Sequence, residues 1–154
     1  MKPTRSLFVT LSLCFLLQAC KKPDCGCAPP FGSALVGKWQ WVKTSTSSGD
    51  ITPQTLGHDK SLSYGNDGSR NYLYLTEDGQ PPKVLYQDNS VGESDQAQGL
   101  LVEQFSGSYI QFMLKKASDN TYQTMTTTDL VTTPSQGYGS TRHFYQRVGI
   151  PDKP

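Results

Sequence analysis

The stretch Gly99-Leu100-Leu101-Val102-Glu103-Gln104-Phe105-Ser106-Gly107-Ser108-Tyr109-Ile110-Gln111-Phe112-Met113-Leu114-Lys115 sets two runs of aliphatic and aromatic residues on either side of a Ser-Gly break. A break that short joins only antiparallel strands, because a parallel return needs a long crossover. With Ser106 and Gly107 as the loop, Phe105 stands opposite Ser108, Glu103 opposite Ile110 and Leu101 opposite Phe112. Alternation along the strands then gathers Leu101, Glu103, Phe105, Ile110, Phe112 and Leu114 on one face. The other face, with Gln104, Tyr109 and Gln111, is more polar. Moving the loop to Gly107-Ser108 keeps this parity, whereas a three-residue loop reverses it.

The same reading carried outward finds no helical periodicity after Ala34 and eight strand-like runs: Leu35–Lys43, Ser61–Tyr64, Arg70–Thr76, Lys83–Gln87, Gly99–Phe105, Ser108–Lys115, Tyr122–Thr127 and Thr141–Val148. The threonine-rich segment Thr124 to Thr133 reads as strand. Asn66-Asp67-Gly68, Asp78-Gly79 and Ser118-Asp119-Asn120 supply further short turns. Strands joined this way in chain order form an up-and-down meander, and closure into a barrel removes the exposed edges. The expected fold is an all-β, eight-stranded antiparallel up-and-down barrel over residues 34–150, followed by a disordered tail at 151–154.

Composition limits what this barrel can be. The chain has 154 residues, enough for one domain, with 35% hydrophobic residues and a formal net charge of +1, which excludes a strongly basic nucleic-acid binder. Much of the apolar content lies in one run, Leu7 to Leu17, preceded by Lys2 and Arg5 and too short to span a bilayer as a helix. Residues 1–19 therefore read as a signal peptide. The run ends in Leu17-Gln18-Ala19-Cys20, which resembles the lipobox of bacterial lipoproteins. That resemblance implies cleavage before Cys20, acylation of its sulfur and amine, and a nearly permanent hold on the membrane. Lys21 and Lys22 follow Cys20 in place of a retention aspartate, so the resemblance implies the outer membrane, facing the periplasm or the surface. Residues 20–33, rich in proline and small residues, form a flexible tether able to reach roughly 40 Å at ~3.3 Å per residue. Cys25 and Cys27 are the remaining thiols, free or in a strained Cys-x-Cys disulfide.

The first strand opens Leu35-Val36-Gly37-Lys38-Trp39-Gln40-Trp41. Gly37-Lys38-Trp39 resembles the Gly-x-Trp signature of lipocalins and lipocalin-like bacterial lipoproteins. It implies that Trp39 plugs one barrel end and that a basic residue of the last strand, Arg147 before Arg142, lies over its ring.

No motif for catalysis, a metal or a cofactor is present: there is no P-loop, no Gly-x-Ser-x-Gly and no His-Glu-x-x-His. His58 falls in an expected loop and His143 in the last strand, and Asp67 and Asp78 read as turn residues. Glu103 is the one carboxylate in a firm strand. If it faces inward, burial disfavours its charge unless a cation such as Arg142 or Lys38 reaches it. The expectation is a non-enzymatic, lipid-anchored envelope protein. Its barrel either holds a small apolar or amphipathic ligand among Glu103, Leu101, Phe105, Ile110 and Phe112, or is filled and serves as a structural or protein-interaction module.

Overall fold

The computed structural model of the chain describes residues 34–88, 94–95, 98–133 and 137–154. The expectations for the signal peptide, Cys20, Cys25, Cys27 and the tether lie outside these residues.

Eleven elements follow in chain order: β1 (Gly37–Thr46), β2 (Gly49–Ile51), α1 (Pro53–Leu56), β3 (Lys60–Asn66), β4 (Asn71–Glu77), β5 (Lys83–Tyr86), β6 (Ser94–Asp95), β7 (Leu100–Phe105), β8 (Ser108–Lys116), β9 (Tyr122–Thr127) and β10 (Arg142–Gly149). Hydrogen-bonded neighbours run β5-β4-β3-β1-β10-β9-β8-β7-β6, all antiparallel, with β2 added to β1. The first and last long strands, β1 and β10, lie side by side. The remaining seam is bridged where Gln87 meets Phe105, Asp88 N–H donates to Gln104 O at 2.9 Å and Ser106 N–H donates to Tyr86 O at 3.0 Å. Eight antiparallel strands therefore form a nearly closed barrel, as the meander reading expects.

The β7–β8 register is the one the Ser106-Gly107 hairpin implies: Phe105 faces Ser108, Glu103 faces Ile110 and Leu101 faces Phe112. Ser106 and Gly107 both take positive φ, 48° and 79°, which suits a tight turn between twisted strands. In β1, Val42 is an extra residue, since Trp41 pairs with Tyr145 and Lys43 with Phe144. This bulge turns Val42 outward and restores Thr44 to the inner face, behind Trp39 and Trp41.

Three short elements escape the sequence reading. β2 and β6 are too short to show alternation, and α1 is one turn held by the Thr52–Thr55 capping box and ended by Gly57. The expected threonine-rich strand to Thr133 is shorter: β9 ends at Thr127, and beyond it Thr128 N–H donates to Gln111 O at 3.2 Å and Val131 bridges to Tyr109.

The expected disordered tail is the other difference. Pro151 and Asp152 lie against the outer face of β3 and β4. There Asp152 N–H donates to Ser63 Oγ at 3.0 Å, Tyr72 Oη–H donates to Asp152 O at 2.8 Å, and Lys38 Nζ pairs with Asp152 Oδ2 at 2.8 Å. Gly65 makes room for this: a Cβ there would fall 2.5 Å from Tyr72 Oη and 3.2 Å from Pro151. β3 is thus covered on both faces, which explains why Ser63 is as buried as Leu62.

Candidate functional site

The inward residues of β7 and β8 come together as the hairpin parity requires. Leu101, Phe105, Ile110 and Phe112 are buried, and Glu103 is only 6% exposed. Tyr64 of β3 meets Phe105 edge to face across the interior, with centroids 6.0 Å apart, and Phe105 meets Phe112 likewise at 6.4 Å. Trp39, Leu62, Leu73 and Met125 complete a core with 1% exposure or less. Of the five residues expected to line a ligand space, Leu101, Phe105, Ile110 and Phe112 belong to one buried cluster with the rest of the core, and Glu103 lies opposite Ile110 in the ladder.

Glu103 sits at the β5–β7 seam. Gln87 Nε2 donates to its Oε2, and Asn71 Nδ2 donates in turn to Gln87 Oε1. Asn66 Nδ2 donates to Asn71 Oδ1 at 2.8 Å, so three amides in series lead from the β3–β4 turn to the carboxylate. Burial pushes the Glu103 carboxyl above its ordinary range, and the Gln87 hydrogen bond only partly offsets this. The Tyr64 hydroxyl is pushed up by burial and then by the nearby Glu103 charge. Neither expected cation serves Glu103: Lys38 pairs with Asp152, and Arg142 Nη1 donates to the carbonyls of Gly139 and Thr141 at 2.8 and 2.7 Å. Gln87 has the same strand parity as Leu85, which is legible in the sequence. Its meeting with Glu103 is not, because that depends on β5 reaching β7.

At one end of β1 the Gly-x-Trp residues assemble with the last strand. Trp39 is fully buried and its indole N–H donates to Leu35 O at 2.8 Å. The Arg147 guanidinium lies 5.4 Å from the Trp39 ring centroid, and its Nη2 donates to Val36 O. Gly37 permits this placement, since a Cβ there would stand 2.9 Å from Arg147 Nε.

Polar groups gather at the opposite end of β1. Trp41, as buried as a core residue, donates its indole N–H to Thr44 Oγ1 at 3.0 Å. Thr44 Oγ1 also stands 2.8 Å from His143 Nδ1, and His143 Nε2 faces Asp129 Oδ1 at 2.8 Å. A hydroxyl, an imidazole and a carboxylate thus stand in series. Thr44 is 8% exposed, and the series links β1, β10 and the residues after β9. Nearby, His58 Nε2 and Lys60 Nζ both reach Glu77 Oε1, at 2.7 and 3.1 Å, and Lys60 lies 5.4 Å from the Trp41 ring centroid. Burial raises the Glu77 carboxyl, but the Lys60 and His58 hydrogen bonds outweigh it and hold the group below its ordinary range. No group of His, Cys, Asp and Glu among the described residues is arranged to hold a metal ion.

Open space lies on the outside. A groove of about 650 Å³ runs over the outer face of β1, β10, β9 and β8, walled by Val42, Phe144 and Met113, with Lys43, Arg142 and Lys115 among its lining. Val42 and Met113 are 46% and 47% exposed, so these walls are apolar surface facing solvent.

Fold and interior together define the class: an all-β protein with eight antiparallel strands in a nearly closed barrel. No family model, curated protein or solved structure matches the chain, so the assignment rests on its own strand order and register.

Proposed function

We propose that this chain is a lipid-anchored envelope protein, held at the outer membrane through acyl chains on Cys20. Its lipocalin-like barrel is a filled, non-catalytic module that acts through its outer surface. The observation that carries the reading is the interior contact of Tyr64, Phe105 and Phe112, which places aromatic side chains where a ligand in the barrel would have to sit. Glu103, the polar group such a ligand would need, is already engaged by Gln87. The leader and Cys20 support the anchor, and the solvent-facing apolar groove supports an outward-acting surface.

Intact and native mass spectrometry of the full-length protein from its own membrane fraction tests both parts. The expected intact mass is that of a chain starting at Cys20 with a diacyl or triacyl adduct. A soluble chain starting at Lys21 or later overturns the anchor. A stoichiometric small molecule that is displaced when Leu101 is enlarged to Trp overturns the filled interior; a molecule retained in that variant belongs to the outer surface.

A further inference from the structure

We propose that the groove on the outer face of β8, β9, β10 and β1 binds a single-chain anionic amphiphile, a long-chain carboxylate, with its alkyl chain over β9 and its head at Arg142. This deepens the reading of the protein as a module acting through its outer surface and rests on it, but it does not depend on lipidation of Cys20.

The groove has a sequence cause. β9 turns Thr124 and Thr126 outward, and their neighbours across the ladder are longer: Met113 and Phe144 flank Thr126, while Lys115 and Gln146 flank Thr124. Two short side chains between two rows of long ones leave a valley along the strand. Its volume, ≈ 650 Å³, falls in the ~300–1,000 Å³ range of small-molecule sites. The strands beneath are each paired on both sides, so a partner peptide cannot bind here by adding a strand and recognition falls to side chains.

Those side chains specify the ligand. Val42, Met113 and Phe144 offer apolar walls, and no Asp or Glu is among the described residues that line it. Lys43 is neutralised by Asp50 Oδ2 at 2.6 Å and lies 5.0 Å from the Phe144 ring centroid, so it contributes mostly its alkyl stem and a cation over the aromatic wall. Arg142 differs. Its hydrogen bonds to the Gly139 and Thr141 carbonyls orient the guanidinium without neutralising it. An oriented guanidinium beside apolar walls suits a carboxylate head on a hydrocarbon chain, because the charge-assisted pair and chain burial are satisfied together. A neutral lipid leaves the cation unanswered, and a short polar anion leaves the walls wet.

The test is photocrosslinking of the full-length protein in its own membranes with a palmitate bearing a diazirine near the middle of its chain, at the distance from the head where Phe144 and Met113 lie. Saturable labelling is expected on Val42, Met113 or Phe144, competed by palmitate and not by its methyl ester. Arg142→Gln should raise the half-saturating probe concentration about tenfold, the effect of losing roughly 1.4 kcal/mol of charge-assisted binding. Thr124→Phe, at an exposed position, fills the valley and should abolish saturable labelling while leaving the melting temperature unchanged. Labelling that does not saturate, or that the methyl ester competes equally, overturns this inference alone. Labelling on Leu101 or Phe105 overturns both it and the filled-barrel reading.

Discussion

Replacing Glu103 by Gln removes one buried charge while keeping an oxygen to accept the Gln87 amide, so it isolates the electrostatic part of this residue's role. Burial is the larger influence on the carboxyl and raises its proton affinity when folded. A carboxyl with a folded pKa above its unfolded value, ~4.3 for glutamate, binds its proton more tightly in the native state. Its stabilising contribution is therefore complete below the unfolded pKa and is lost as pH rises through the folded one, at no more than about 1.4 kcal/mol per pH unit. Other carboxylates act in the opposite sense. Asp67, held near 2 by backbone hydrogen bonds from Arg70 and Ser69, together with Asp50, Asp119 and Glu77, gives stability that is lost as pH falls. These groups are the same in both proteins and cancel in the difference.

The expected result is that Glu103→Gln equals wild type at about pH 4 and is the more stable protein at pH 7, with the gap opening between. Glu103→Ala differs, because it leaves the Gln87 N–H unpaired at every pH and costs about 1–3 kcal/mol even in acid. Guanidinium unfolding at a series of pH values, followed by the fluorescence of the buried tryptophans Trp39 and Trp41, reads all three curves. A Glu103→Gln variant less stable than wild type at neutral pH, or a gap that does not change with pH, refutes the reasoning: the carboxylate would then be stabilised in place by a partner stronger than Gln87.

Trp39→Ala should cost about 3–5 kcal/mol in the same assay, and Arg147→Met about 0.5–2 kcal/mol if the guanidinium over the ring contributes beyond packing. Trp39→Ala melting like wild type while Trp41→Ala does not would falsify the role of Trp39 as the barrel's end plug. Gly37→Ala should lower the melting temperature, with only part of the loss recovered in an Arg147→Ala background, because the added Cβ meets the guanidinium at 2.9 Å while the Gly149 carbonyl at 3.2 Å and the φ of 158° remain. Truncation after Ile150 removes the hydrogen bonds of Asp152 to Ser63 and Tyr72 and should cost about 1–3 kcal/mol; an unchanged melting temperature would show the segment to be dispensable. Cys20→Ser should accumulate as an unprocessed precursor on an immunoblot of the membrane fraction, and normal processing of that variant would remove the lipobox reading.

Most of the barrel was legible in the chain because strand parity is a local property. A two-residue Ser-Gly loop sets which residues of β7 and β8 face each other, and alternation then carries Glu103 inward with Leu101 and Phe105 without reference to any other strand. The turn residues and short loops likewise specify a meander. What the chain could not disclose depends on strands distant in sequence. Whether β5 reaches β7, and so gives Glu103 the Gln87 amide rather than a cation, follows from the accumulated twist and stagger of the whole sheet. The tail looked featureless because Pro151 and Asp152 carry no periodicity; their place is set by Ser63, Gly65 and Tyr72, which become a docking strip only when β3 and β4 lie side by side. The outer groove has the same origin, since Thr124 and Thr126 form a valley only between the longer side chains that tertiary pairing sets on either side of them.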